Sequence, residues 1–317
     1  MLKPWLLGYL LCSLIGTPAH TAAAIYERSP ERVAKKRKLP DSQVDSNVVD
    51  WDLLSSKDSM PFNGVGVLKV AEVPFCTISL LDSGAIRKAP AYALTNGHCS
   101  ALSDFPADDV RVDLPPASAM IAVFHFFFDD PQAFVSVSVK RVAYATMKGT
   151  DIAVLELNTT VDKLTSLGLH FYATPKMVSS RSGMNVSMVG VPSEGISPEK
   201  QFLRLSQCTL GDTVSLKEGD YRWPQSVRHQ CSAAAGSSGS PLFFRAAEEL
   251  QIAALHNTAS DDSAASEATC GMSRPCEWGR NRWISYPQWN YAQSVSGLSN
   301  CFDARGIFKR DRALCPL

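Results

Sequence analysis

The sequence predicts an all-β protein, built as an antiparallel sandwich or barrel. From Phe62 onward it consists of short runs rich in β-branched and aromatic residues, such as "VGVLKV" at 65–70, "DIAVLEL" at 151–157 and "PLFFRA" at 241–246. Turn residues separate these runs, and the segments between them are too short for the crossover helices of βαβ units. Helical signal is confined to "PQWNYAQSVSGL" at 287–298, for which we expect a few turns.

The composition is that of a globular protein with a sizeable core. The chain has 317 residues, of which 45% are hydrophobic and 20% charged. Its 31 basic residues are balanced by 31 acidic residues, so no net field attracts nucleic acid or an anionic membrane. Both are therefore excluded as main partners.

The first residues, 1–24, have the layout of a secretory signal peptide. Lys3 is followed by an apolar run from Trp5 to Ile15 and by three alanines at 22–24. An apolar core of this length is too short to span a bilayer as a helix, which needs about 20 residues. We expect a secreted protein, either extracellular or periplasmic.

The next segment, 25–60, is polar and charged and shows little hydrophobic periodicity. It contains the basic cluster "KKRK" at 35–38, which fits a processing site or a solvated patch. Such a segment need not belong to a packed core. We interpret it as a propeptide or a disordered arm.

Eight cysteines remain once Cys12, inside the apolar run, is set aside. An even number in an exported chain predicts disulfides. A zinc site at "CGMSRPC" is disfavoured, because no second pair of ligands accompanies it. The distribution of the eight cysteines suggests four local pairs: Cys76–Cys99, Cys208–Cys231, Cys270–Cys276 and Cys301–Cys315. A Cys231–Cys270 pair competes with the second and third of these.

Three segments contain side chains that could act together in nucleophilic catalysis. His98 follows a β-rich run in "YALTNGHCS", Asp151 begins the run "DIAVLEL", and Ser238 lies in "GSSGSP". Alone, each has a simpler explanation: a structural histidine, a turn aspartate, and a flexible Gly/Ser turn. Their joint occurrence in this order, each at the edge of a strand, predicts a catalytic site.

These segments resemble the trypsin/chymotrypsin-like serine peptidases, and more closely the secreted branch that includes bacterial glutamyl endopeptidases (V8-like). The resemblance extends from about Phe62 to at least His256. It implies two six-stranded antiparallel Greek-key β-barrels with a short C-terminal helix and an active site between the barrels. The peptidase domain would then cover 61–300, and residues 301–317 would form a disulfide-closed tail.

The resemblance also assigns roles to the catalytic residues. His98 takes a proton from Ser238 and later gives it to the leaving amine, while Asp151 fixes the imidazole tautomer. The backbone N–H groups of Gly236 and Ser238 form the oxyanion hole, and no metal or organic cofactor is required. A Cys76–Cys99 bridge would brace the loop that carries the histidine.

Five positions concern specificity or depart from the family pattern. Gly97 stands where alanine often precedes the histidine, and Ser237 replaces the aspartate that pairs with a new N-terminus in activated trypsin-like enzymes. Ser232, at the base of the specificity pocket, is uncharged and disfavours a preference for Lys or Arg. His256 matches the pocket histidine of glutamyl endopeptidases, but Ala233 lacks their nearby hydroxyl, so His256 fits either an acid-binding pocket or a packed core.

We therefore expect a secreted serine endopeptidase that works through an acyl-enzyme intermediate, with an acidic (Glu) preference as one option. The alternative is a catalytically silent homologue that uses the same fold to bind a partner. All three catalytic residues and both flanking glycines are present, which favours the enzyme. The expected partner is a protein or peptide substrate, with no membrane anchor after signal cleavage and a monomeric state.

Overall fold

The computed structural model describes residues 51–84, 88–100, 105–116, 118–176, 182–260, 270–312 and 315–317. All of them fall in one compact unit, Asp45–Leu317. The expected signal peptide and most of the expected propeptide or arm lie outside the described residues. Within the described ranges, no helix is both long and apolar enough to cross a membrane.

The first sheet of the described chain is a closed barrel. Its seven strands are β2 (Val65–Val70), β3 (Val73–Leu81), β4 (Pro90–Thr95), β5 (Val110–Leu114), β6 (Met120–Phe124), β7 (Val135–Thr146) and β8 (Ile152–Thr160). Pairing of β7 with β8 closes a ring of six strands in the order β7-β6-β2-β3-β4-β8, and β5 attaches to β7 outside the ring. Two short α-helices, α1 (Ser56–Ser59) and α2 (Val161–Ser166), precede and follow the barrel.

The second sheet closes in the same way. Its strands are β1 (Asp52–Leu53), β9 (Asn185–Gly190), β10 (Arg204–Glu218), β11 (Tyr221–His229), β12 (Pro241–Ala246), β13 (Glu249–Thr258), β14 (Cys276–Gly279), β15 (Arg282–Ser285) and β16 (Asn290–Ser294). The ring runs β10-β9-β12-β13-β16-β11, and the β10–β11 pairing completes it. Strand β1 and the β14–β15 hairpin attach to β10. The all-β, chymotrypsin-like fold expected from the sequence is confirmed.

Alternation along the strands explains how the barrels pack together. In β4, Ala91 and Ala93 belong to one buried cluster and Tyr92 and Leu94 to another, and each cluster also contains residues of the second barrel. Successive strand residues face opposite sides of a sheet. Both faces of β4 are therefore apolar, because each face is buried in a cluster to which both barrels contribute.

Two segments differ from the sequence-based expectation. In the segment 287–298, Asn290–Ser294 form strand β16, and only Leu298 is helical, as the first residue of a 3-10 turn at Leu298–Cys301. Pairing of β16 with both β11 and β13 holds these residues in a strand. Residues 51–60, the end of the segment interpreted as a propeptide or disordered arm, lie within the fold. Trp51 and Leu54 are buried there.

The structure contains the four local disulfides: Cys76–Cys99, Cys208–Cys231, Cys270–Cys276 and Cys301–Cys315. The last of them closes the C-terminal tail, in which Phe308 is buried against the rings of Phe302 and Tyr144. The tail thus packs on the first barrel and contributes to its core.

Candidate active site

His98 and Asp151 form a direct hydrogen bond at the end of the first barrel. His98 begins a short 3-10 turn directly after β4, and Asp151 immediately precedes β8, the strand that pairs with β4. The distance from His98 Nδ1 to Asp151 Oδ2 is 2.7 Å, and the backbone N–H of His98 donates to Asp151 Oδ1 at 3.1 Å. The pairing of two strands therefore brings together residues that are 53 positions apart.

The two residues before the histidine hold this pair in position. The Asn96 side chain donates to the backbone carbonyl of Asp151 at 2.9 Å. Gly97 passes so close to the end of β7 that an added Cβ would lie 2.9 Å from the carbonyl carbon of Thr146 and 3.0 Å from Asp151 Oδ1. The glycine in place of the family's alanine thus allows the loop to approach Asp151.

Ser238 lies in a tight turn that its neighbour Ser237 stabilises. The buried hydroxyl of Ser237 donates to the carbonyl of Ala234 at 2.5 Å and accepts from the Ala234 N–H at 3.2 Å. Gly236 and Gly239 have φ angles of +89° and +83°, a region that residues with a Cβ rarely adopt. The "GSSG" run is therefore a held turn and not a flexible linker.

Thr77 of β3 joins this turn to the first barrel. Its backbone N–H donates to the carbonyl of Ser238 at 2.8 Å, and its hydroxyl donates to the carbonyl of Gly236 at 3.2 Å. Thr77 directly follows Cys76, whose disulfide partner Cys99 directly follows His98. The serine and the histidine are thus connected through one strand residue and one disulfide.

The turn leaves the donors expected of an oxyanion hole without other partners. Among the described residues, neither the Gly236 N–H nor the Ser238 N–H donates a hydrogen bond. In the same part of the chain the Ser238 hydroxyl has no hydrogen-bond partner, and the residue is partly exposed. Hydrogen bonds between a nucleophile and its base are often long in unliganded enzymes.

The electrostatic surroundings of His98 favour its protonated form. A third of the His98 side chain is exposed and the rest is covered, and this burial by itself disfavours the charged form. The charge and hydrogen bond of Asp151, followed by the charge of Glu218, outweigh burial and raise the pKa of His98 above its ordinary value of 6.5. An imidazolium formed during a reaction would be stabilised by the same groups.

The predicted pocket residues lie on the second barrel, close to the nucleophile turn. Ser232 and Ala233 are partly exposed, and the Ser232 N–H donates to Ser206 Oγ at 2.9 Å. His256 is 2% exposed, and its backbone bonds both Gly239 and Ser240 of the turn.

A second buried histidine, His229, supports His256. The distance from His256 Nδ1 to His229 Nε2 is 3.0 Å. Burial, and then the charges of His229 and His98, lower the pKa of His256 well below 6.5. Burial lowers the pKa of His229 to about 3. Both imidazoles are therefore neutral at physiological pH.

In the part of the chain that the structure describes, two groups of residues have the ligand types of a metal site within 4.8 Å of one another. They are Cys76, His98 and Cys99, and Cys208, His229 and Cys231. In each group the two sulfur atoms form a disulfide, whereas metal binding requires thiolates. Neither group offers a complete ligand set in this state.

Sequence reasoning missed three residues at the site. Asn96 precedes the Gly97-His98 pair and could have been singled out by that position. Thr77 is adjacent to Cys76 but has no signal of its own. Glu218, which acts electrostatically on His98 and Asp151, lies at the end of a strand where nothing in the local sequence distinguishes it.

The family model of the trypsin-like peptidase domain matches residues 80–250, more than half of the chain. No curated protein matches the sequence significantly.

Two solved structures are similar at low identity. One is a thermostable serine protease, AL20, from an extremophilic microorganism, with 12% identity, 75% of this chain and 93% of that chain covered, and a TM-score of 0.45. The other is the MamO protease domain from Magnetospirillum magneticum in its apo form, with 11% identity, coverage of 75% and 94%, and a TM-score of 0.46. Neither likeness is strong enough to carry an argument about activity. On the family match, the chain belongs to the trypsin-like peptidase domain family.

Proposed function

We propose that the protein is a secreted serine endopeptidase that hydrolyses peptide bonds through Ser238, His98 and Asp151. The observation that carries the proposal is the 2.7 Å hydrogen bond between His98 and Asp151, beside a serine turn with two unpartnered N–H groups. The four disulfides support export to an extracellular or periplasmic compartment.

The chemistry follows from these positions. Ser238 Oγ bonds to the substrate carbonyl carbon as its proton passes to His98 Nε2, and Asp151 holds the opposite ring nitrogen. The negative oxygen of the tetrahedral intermediate accepts hydrogen bonds from the N–H groups of Gly236 and Ser238. The C–N bond then breaks, His98 returns the proton to the leaving amine, and water releases the acyl group by the same steps.

Ser237 explains how the turn could be ordered without a new N-terminus. In activated trypsin-like enzymes an aspartate at this position pairs with the terminal amine. Here, among the described residues, the Ser237 hydroxyl bonds only within its own turn, to both backbone polar groups of Ala234. We propose that release of a propeptide, if it occurs, is not needed to form the oxyanion hole.

We also propose that the chain stands closest to the glutamyl-endopeptidase-like branch and prefers an acidic side chain at the cleaved bond. Ser232 and Ala233 place no negative charge in the pocket, and His256 lies beneath the nucleophile turn. Because burial keeps His256 neutral, the preference would depend on hydrogen bonding and not on an ion pair. Profiling a peptide library for enrichment of Glu tests this preference.

Covalent labelling tests the function. The purified protein is incubated with a fluorophosphonate probe, and the modified residue is identified by mass spectrometry. We expect labelling of Ser238 and none in Ser238→Ala. Ser237→Ala retains the nucleophile, so it should still be labelled, although loss of its buried hydrogen bonds costs about 1 kcal/mol of stability.

The silent homologue makes the opposite prediction. A folded protein that is not labelled, or whose labelling persists in both Ser238→Ala and Ser237→Ala, would contradict the enzyme. Labelling that disappears in Ser237→Ala and persists in Ser238→Ala would show that the nucleophile is Ser237.

A further inference from the structure

Glu218 is a buried acid that the mechanism above does not use. It is 4% exposed and ends β10. Its Oε1 atom accepts hydrogen bonds from the backbone N–H of Ser273 at 2.6 Å and from the Thr258 hydroxyl at 3.0 Å. Both partners are donors, which suits an ionised carboxylate.

These two hydrogen bonds join three parts of the second barrel. Ser273 belongs to the short loop closed by the Cys270–Cys276 disulfide, and the Gly219 N–H donates to the carbonyl of Cys270 at 2.6 Å. Glu218 and Gly219 thus attach this loop to the β10–β11 turn, and Glu218 also attaches it to the end of β13.

The end of β13 is next to the nucleophile turn. His256, two residues before Thr258, accepts a hydrogen bond from the Gly239 N–H and donates to the carbonyl of Ser240, each at 2.9 Å. Pairing of β12 with β13 ends at Pro241 and Leu255. An extended peptide bound at Ser238 could therefore pair with the part of β13 that follows Leu255. Glu218 helps to fix this part through its hydrogen bond with Thr258.

Glu218 also acts on the catalytic base through its charge. Among the described residues, the titratable groups that act on His98 are Asp151, Glu218 and the neutral His256. Glu218 in turn faces His98, Asp151 and Tyr221. Burial raises the pKa of Glu218 above its ordinary value of 4.5, and the hydrogen bonds from Ser273 and Thr258 and the charge of His98 oppose that rise. Glu218 and Asp151 are both almost fully buried, so solvent screens their charges less than it screens charges at the surface.

We propose that Glu218 is a positioning residue for catalysis: it fastens the Cys270–Cys276 loop to the end of β13 and, together with Asp151, stabilises the imidazolium form of His98. The inference rests on the proposed peptidase function. Glu218, from the second barrel, would act on His98 in addition to Asp151, the carboxylate that the family resemblance assigns.

Glu218→Gln isolates the charge, because the amide oxygen can still accept both hydrogen bonds. The rate of fluorophosphonate labelling falls as His98 becomes protonated. A carboxylate near His98 raises the pH at which this happens, so its removal should move the midpoint of the acid limb to lower pH. Measurement of the labelling rate from pH 4 to 9 gives this midpoint directly.

Glu277→Gln is the matched control. Glu277 is also buried, at 2% exposure, on the adjoining strand β14, but it pairs with Arg228 and Tyr291. We expect it to lower the temperature of thermal unfolding and to leave the acid limb where it is in the wild type. If both buried carboxylates had purely structural roles, Glu218→Gln and Glu277→Gln would have the same acid limb.

Glu218→Asp separates the two roles and serves if Glu218→Gln does not fold. It keeps the charge and shortens the reach, so the acid limb should stay near the wild-type position. With fluorescein-labelled casein as substrate, its KM should rise by about tenfold, equivalent to about 1.4 kcal/mol.

These measurements distinguish a failure of the role proposed for Glu218 from a failure of the proposed peptidase function. If the wild type is labelled, a shifted acid limb in Glu218→Gln together with an unshifted acid limb in Glu277→Gln supports the positioning role. Labelled wild type with the same limb in Glu218→Gln overturns that role and leaves the peptidase intact. An unlabelled wild type overturns the peptidase, and the inference with it.

Discussion

Gly97→Ala offers a sharp test of the active-site geometry, because it restores the residue that the family often has before its histidine. The backbone of Gly97 has an ordinary φ, so alanine causes no conformational strain. Its Cβ would instead lie 2.9 Å from the Thr146 carbonyl carbon, closer still to the carbonyl oxygen, and 3.0 Å from Asp151 Oδ1. Ordinary contacts begin at 3.4 Å.

The neighbouring groups cannot easily move to relieve these contacts. Thr146 is fully buried, pairs with both Val110 and Ile152, and its hydroxyl donates to the carbonyl of Asp109. Overpacking at such a site costs about 1–3 kcal/mol of stability. Ile152 adjoins Asp151, so a displacement also reaches the His98–Asp151 pair, and a misplacement of about 1 Å can cost about 100-fold in rate.

The rate of fluorophosphonate labelling and the temperature of thermal unfolding measure the two effects. We expect Gly97→Ala to fold, to unfold at a lower temperature, and to be labelled about 100-fold more slowly. The control is Gly279→Ala, since an added Cβ at Gly279 meets no atom within 4 Å and its φ is also ordinary. Wild-type labelling and unfolding in Gly97→Ala would refute the steric account of this position.

Two further predictions concern the buried histidines. The pKa of His229 is lowered to about 3, so between about pH 6.5 and pH 3 only the unfolded chain binds a proton at this residue. Folding stability that is fully present above pH 6.5 is therefore lost on acidification, by about 1.4 kcal/mol per pH unit. His229→Gln should make urea-unfolding free energies at pH 7 and pH 5 more alike, and an unchanged difference would contradict this origin. His256→Ala should remove any enrichment of Glu at the cleaved bond in a peptide library; a wild-type profile would show that His256 is only a core residue.

Much of the fold was predictable because its signals are local. The runs "VGVLKV" and "PLFFRA" match β2 and β12 residue for residue, at Val65–Val70 and Pro241–Ala246. By contrast β11, Tyr221–His229, contains Pro224 and an irregular burial pattern. It is a strand because it forms a hairpin with β10 and also pairs with β16, which lies far along the chain.

The sequence by itself determined the chemical types at the site. His98, Asp151 and Ser238 each lie in a short motif whose residue types suit one step of nucleophilic catalysis, and such motifs can be recognised without knowing what lies nearby. The same holds for the local cysteine pairs, since short separations limit the plausible partners.

Only the tertiary structure decided which other groups act on these residues. Thr77 and Glu218 reach the site from β3 and from the far end of β10, and Gly97 matters because β7 ends against it. These contacts depend on how two barrels close and pack, which long-range strand pairing sets. Charge and steric contact act through space, so the influence of a residue on His98 follows its distance in the fold and not its position in the chain.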